Sequence, residues 1–212
     1  AAFGATAYLA EESYVSTDNA FVRAAKITVN ARVSGQAVEI DVRDNERVRQ
    51  GQVLFRIDPE PYQIAVDEAE ARLGGARLQI DALKATYRQQ QAELQSAQDT
   101  AAFDEREYER KKALVSSDFT PRAVYERAET DLKVARQRVA SIQQQIANTV
   151  AALDGDADIA IDRHPTVRAA RAQLDHAKLD LSYATVTAPD DGVVTRVDDL
   201  QIGSFVNPGA PV

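Results

Sequence analysis

Apolar residues recur every seven positions through the middle of the chain. The series from Val66 continues through Leu73, Ile80, Tyr87, Leu94, Ala101, Tyr108 and Val115, all apolar or aromatic. Its companion is Ala69, Ala76, Leu83, Gln90, Ala97, Asp104 and Lys111, which begins small or apolar and turns polar. Two interleaved series of this kind form one stripe along a helix, the seam of a coiled coil, here sustained for about seven heptads. A second run has Tyr125, Leu132, Val139, Ile146 and Leu153, with Ala128, Ala135, Ile142 and Thr149 between. A third, shorter run has Val167, Leu174 and Leu181, with Ala170 and Ala177. Gln89, Gln91, Glu93, Arg136 and Gln143 fall outside the seam and form a solvated face.

Ser116-Ser117-Asp118-Phe119-Thr120-Pro121 separates the first two runs. Ser117 or Asp118 is placed to end one helix, and Thr120 to cap the next with Pro121 at its first position. So short a loop between long helices makes them antiparallel neighbours. The pattern predicts arms over 63–115 and 122–182, the first roughly 80 Å long at 1.5 Å per residue. The second arm is interrupted from Asp154-Gly155-Asp156-Ala157-Asp158 to His164-Pro165, where Pro165 biases His164 away from helix. Counted from the tip, this break falls opposite Gly74-Gly75 and predicts a joint in the hairpin.

The flanks change period. Val33 to Val42 ends in alternation, Asp44-Asn45 marks a turn, and Val53-Leu54-Phe55-Arg56-Ile57 reads as a strand. On the far side, 183–187, 192–197 and 204–206 repeat the pattern. The flanks are an internal repeat: Ala31-x-x-x-Gly35 matches Ala188-x-x-x-Gly192, Ile40 matches Val197, and Val48-x-x-Gly51 matches Val206-x-x-Gly209. Two half-motifs form one β-domain when a rigid hairpin returns the chain to its start. The fold class expected is therefore α+β, a long antiparallel helical hairpin inserted into a split β-domain. Gly35, Gly51, Gly192 and Gly209 are its structural glycines.

Composition narrows the function. Aromatics are 6% of 212 residues and Trp is absent, which suits long solvated helices better than a large globular core. A net charge of -8, with bases scattered among acids, argues against a nucleic-acid partner. With no Cys there is no disulfide framework or thiolate metal site. His164 and His176 are twelve residues apart, and Asp154, Asp156 and Asp158 lack the glycine and distal Glu of a calcium loop. No phosphate loop or Ser/His/Asp motif occurs. The expectation is no enzyme, no metal and no cofactor. The absence of Met predicts sequence before Ala1, and the uncharged start, 1–10, reads equally as the end of a membrane helix or a frayed terminus.

Ala31-Arg-Val-Ser-Gly35, Asp44-Asn45, Val48-Arg-Gln-Gly51 and Leu54-Phe-Arg-Ile-Asp-Pro59 resemble the first half of the biotinyl/lipoyl-like domain of membrane fusion proteins, the HlyD family of periplasmic adaptors. Leu179-Asp-Leu-Ser-Tyr-Ala-Thr-Val-Thr-Ala-Pro189, Asp191-Gly192 and Gly203 to Gly209 resemble the second half. Ser16-Thr-Asp-Asn-Ala-Phe-Val22 resembles the entry to the EmrA-like multidrug branch. The resemblance implies a domain plan. Residues 1–13 are the end of a membrane anchor or disordered, 14–30 a strand from a β-barrel region, 31–58 with 184–212 the split domain, and 59–183 the hairpin with its tip near 116–121. More β-barrel is expected after Val212. The resemblance further implies a periplasmic adaptor held at the inner membrane by an N-terminal helix. Its implied partners are an inner-membrane drug transporter of the major-facilitator type, a TolC-type outer-membrane channel and further copies of itself. It implies channel contact at the tip through Arg110, Leu114 and Thr120, although Leu114 to Thr120 is one residue shorter than the family interval. Leu114 also reads as a seam-edge residue and Thr120 as a helix cap. Their place in the loop adds Asp118 and Phe119 to the same end. Two other readings stay open, an adaptor for polypeptide secretion by an ABC exporter and a structural coiled-coil scaffold. A lipoyl or biotinyl carrier would need a Lys between the halves, where this chain has Asp58-Pro59-Glu60-Pro61 and the hairpin.

Overall fold

The computed structural model of the chain describes residues 26–115, 121–197 and 200–209. Three helices carry the heptads: α1 over Glu60–Val115, α2 over Arg122–Ala152 and α3 over Pro165–Tyr183. α1 packs against α2 toward the tip and against α3 toward the base. Every member of the seven-spaced series is buried or half-buried. At the base, Val66, Leu73, Ile80, Leu153, Val167 and Leu174 close a dry core.

α1 begins three residues earlier than the heptads predict. Pro61 lies in its first turn, where no intrahelical amide bond is required. The Glu60 amide donates to Asp58 Oδ1 at 3.0 Å, so the side chain before the helix satisfies one of its free donors. At the other end of the loop, Pro121 takes the N-cap position with ψ 138°, and α2 starts at Arg122. Pro121 is therefore outside the helix, one place earlier than expected.

The break in the second arm runs from Leu153 to His164. Asp154 and Gly155 turn the chain in the left-handed region, at φ 62° and 81°. A 3-10 turn follows over Ile161–Arg163. Arg77 reaches Asp162 at 2.8 Å, and Lys84 Nζ donates to the Ile159 carbonyl at 2.7 Å. The break thus faces residues 77–84, and α1 passes unbroken through Gly74 and Gly75. The joint belongs to one arm alone. Two glycines cost a helix about 1 kcal/mol each relative to Ala, and burial of Leu73 and Ala76 on either side outweighs that.

The flanks make strands β1 (Gly35–Ile40), β2 (Arg47–Val48), β3 (Val53–Ile57), β4 (Thr185–Thr187), β5 (Gly192–Val193) and β6 (Phe205–Val206). One sheet has the order β4-β3-β1-β6, and a second pairs β2 with β5, all antiparallel. The repeat is visible in the pairing. Gly35 sits opposite Val206, and its repeat mate Gly192 sits opposite Val48. Ala37 donates to Ser204 at 2.9 Å, mirrored by Val194 donating to Glu46 at 3.0 Å. Gly51 donates to Ala188 at 2.8 Å, mirrored by Gly209 donating to Ala31 at 3.0 Å. Each half supplies the strand the other lacks, so the two interlock about a pseudo-twofold axis. Their shared core joins Val33, Leu54, Phe55 and Ile57 with Val186, Ala188 and Val206.

The glycines are not equivalent. A Cβ on Gly35 would lie 2.6 Å from Ile57 Cγ2, and its φ is +153°. Gly51 and Gly209 share a left-handed backbone, φ +80° and +77°, at matching points of the repeat. Gly192 has neither a close neighbour nor a positive φ. Of the strand expected over 14–30, only 26–30 is described, and Asn30 there forms an isolated bridge. Residues 1–13 lie outside the described residues.

Candidate partner-docking site

The hairpin tip is framed by the last turns of α1 and the first of α2. Tyr108 and Tyr125 belong to the two seam series and meet there. Their ring centroids are 5.5 Å apart and tilted by 34°, and their hydroxyls lie 3.2 Å apart. The hydrogen bond to Tyr108 pushes the Tyr125 hydroxyl up to about 12, helped by burial and by the carboxylate of Glu129. Lys112 Nζ stands 5.6 Å from the Tyr108 ring centroid, a cation–π contact. This pair clamps the arms just below the loop. Sequence reasoning assigned it only to the seam, although facing tyrosines close to a tip loop are a signal of such a clamp.

Beyond the clamp, Arg110 ion-pairs with Glu107 on its own helix and remains exposed. Leu114 is 37% exposed, and Val124 at the start of α2 is 39% exposed. Arg110 and Leu114 are four apart and share one flank of α1. Asp118, Phe119 and Thr120 lie outside the described residues. The structure therefore brings two of the five expected tip residues onto one flank.

Both histidines have local roles. His164 is buried and caps α3: its Nδ1 accepts from the Thr166 amide at 3.3 Å. The proton then sits on Nε2, which faces the Ala152 carbonyl at 3.2 Å. One imidazole thus ties the end of α2 to the start of α3 across the break. His is not a usual N-cap residue, so only the His-Pro boundary hinted at it. His176 lies on the helix surface, 2.9 Å from Asp180 one turn on. Asp156 Oδ1 accepts from the Asp158 amide at 2.9 Å, closing a turn. Among the described residues, no group of three or more His, Cys, Asp or Glu side chains is placed to hold a metal ion. No helix among them is long and apolar enough to cross a membrane.

A long hairpin inserted between interlocked halves of a lipoyl-like β-domain defines the class, a membrane fusion protein. The chain belongs to the family described as RND MFP, barrel-sandwich hybrid domain, whose profile matches residues 25–212. It is 32% identical over 216 residues to multidrug resistance protein MdtN of Escherichia coli O6:H1, covering 95% of this chain and 59% of the relative. It is 24% identical to multidrug export protein EmrA of Escherichia coli strain K12, covering all of this chain and 53% of EmrA. The chain thus spans little more than half the length of these relatives. A solved structure of the periplasmic adaptor protein EmrA aligns with a TM-score of 0.46 at 19% identity, covering 90% of this chain and 72% of that one.

Proposed function

We propose that the chain is the periplasmic adaptor of a tripartite multidrug efflux pump. It joins an inner-membrane transporter of the major-facilitator type to a TolC-type outer-membrane channel, and it does so as a ring of copies. The observation that carries the reading is the shape. An unbroken helix of 56 residues, about 84 Å long, holds the tip far from the β-domain. A single hairpin encloses nothing, so a conduit requires several copies, and head-to-tail contacts close into rings. Kinship with multidrug resistance and export proteins supports the drug-export branch.

The adaptor seals and couples, and transport is driven by its partner. Arg110, Leu114, Asp118, Phe119 and Thr120 form the channel-facing end, with the Tyr108–Tyr125 clamp holding the arms together beneath them. The β-domain sits toward the inner membrane. The test is a strain lacking this chain. It becomes susceptible to the drugs its transporter exports, and the full-length chain restores resistance. Unchanged susceptibility with the transporter still dependent on another adaptor sinks the reading. A defect in polypeptide secretion instead redirects it to an ABC exporter.

A further inference from the structure

The hairpin joins the β-domain through two short connections, Asp58-Pro59 before α1 and Ala184 after α3. Backbone bonds hold both: the Asp58 amide donates to the Gln36 carbonyl at 2.9 Å, and the Ile57 amide to the Ala184 carbonyl at 2.8 Å. These bonds set where the arms leave the sheet. A row of backbone bonds acts as a hinge line, so by themselves they leave the hairpin free to swing. Length makes its direction matter. A swing of roughly 5° at the base carries the far end of α1, about 84 Å away, by roughly 7 Å.

A tyrosine stands at the foot of each arm. Tyr62 lies in the first turn of α1, and Tyr183 is the last residue of α3. Both are half-buried and pack against the β-domain core. Packing accounts for the rings and leaves their polar contacts to be explained. The Tyr62 hydroxyl donates to the Ser34 carbonyl. The Arg32 guanidinium stands 4.7 Å from the Tyr183 ring centroid, a cation–π contact.

Both partners belong to one stretch of three residues that leads into β1. Val33, between them, is buried in the β-domain core. Before them, the Ala31 carbonyl accepts from Gly209 at 3.0 Å. After them, Gly35 pairs with Val206 and leaves no room for a Cβ against Ile57. The stretch is thus fixed to the β-domain at both ends and in the middle, and it holds one arm at Arg32 and the other at Ser34. One tether alone would let the hairpin rotate about it. Two tethers, one on each arm, remove that rotation.

We propose that residues 32–34 act as a strap that fixes the direction of the hairpin on the β-domain, through the Tyr62 hydroxyl on one arm and the Tyr183 ring on the other. Movement of the chain that enters at 26–31 then turns the hairpin as a lever and is not absorbed at the junction. Arg32, Tyr62 and Tyr183 are positioning residues. The strap is a property of one chain, and it holds whatever the tip meets.

The sequence has no Cys, so spin labels attach at introduced cysteines. In the full-length membrane-bound chain, any cysteine outside this sequence is replaced by serine. Labelled copies are diluted in unlabelled ones, so that only distances within one copy are read. Leu78, exposed on α1, is labelled together with Val193 on β5 or with Phe205 on β6, both exposed and in different sheets. Dipolar electron resonance then gives two distance distributions, both narrow in the otherwise unchanged chain. Tyr62→Phe combined with Arg32→Ala broadens both about twofold, and each change alone broadens them less. Arg32→Lys keeps the cation and Tyr183→Phe keeps the ring, so both variants stay narrow. Tyr62→Phe deletes one hydroxyl and leaves the packed ring, so it carries the test if the double variant loses helicity. Distributions unchanged in both Tyr62→Phe and Arg32→Ala overturn the proposal and leave the tyrosines as core filling. Broadening in Arg32→Lys as large as in Arg32→Ala overturns the cation–π tether, and broad distributions in the unchanged chain overturn the strap outright.

Discussion

The base and the tip of the hairpin share one heptad pattern and differ in what it encloses. At the base, α1 meets α3 and the break, and Ile80, Leu153 and Val167 are at most 2% exposed. Toward the tip, α1 meets only α2, and Tyr87, Leu94, Ala101 and Tyr108 are half-buried. Between these zones Thr149 Oγ1 donates to Gln90 Oε1 at 2.9 Å, a polar layer inside the seam. Asp104 and Lys111 then take core positions. Equal spacing does not give equal cohesion, because burial depends on how many elements surround the stripe. The base is a self-sufficient anchor. Toward the tip, the described residues are held by a thinner seam and the Tyr108–Tyr125 pair.

Substitution sharpens this contrast. Ile80→Ala removes a fully buried side chain from the base and is expected to cost about 2–5 kcal/mol. Leu94→Ala at a half-buried tip position is expected to cost about 1–2 kcal/mol, since less of its area is withdrawn from water. Denaturant unfolding checks both, and equal losses would erase the distinction between the two zones.

His164→Ala comes next. It removes the cap of α3 and the bridge to Ala152, with an expected loss of about 1 kcal/mol. His164→Asn should recover most of it, because Asn also caps and Ala does not. Exchange of the amides at the start of α3 reports this locally, and protection there unchanged in His164→Ala would show that the break needs no pin.

The smallest effect concerns pH. The raised Tyr125 hydroxyl favours the neutral form in the folded chain. The clamp's contribution is complete below the ordinary tyrosine value near 10 and fades as pH rises toward about 12. Phenolate absorbance should therefore show a late-titrating component that is absent from Tyr125→Phe. Identical titration curves for the two proteins would contradict the clamp.

The heptads made most of the hairpin legible, since each seven-spaced position lies in the seam. The repeat Ala31–Gly35 against Ala188–Gly192 likewise foretold a shared β-domain, because half-motifs with apolar strand faces need each other. The reciprocal bonds from Gly51 and Gly209 are the geometric form of that need. Other features were hidden for physical reasons. Gly74-Gly75 read as a joint because propensity is local, and packing against the other arm overrode it. The early start of α1 was masked by Pro61, which breaks helices everywhere except their first turn. The family resemblance implied partner contact at the tip, where Asp118, Phe119 and Thr120 lie outside the described residues.

On the proposed function, the tip and not the base meets an outer-membrane channel. A photo-reactive residue is placed at Leu114, and in a second strain at Leu78, which is exposed near the base. Both chains are irradiated in cells actively exporting drug. A covalent product with an outer-membrane channel is expected from position 114 and none from position 78. Capture of the channel from position 78, or no channel product from 114 while export proceeds normally, would contradict it.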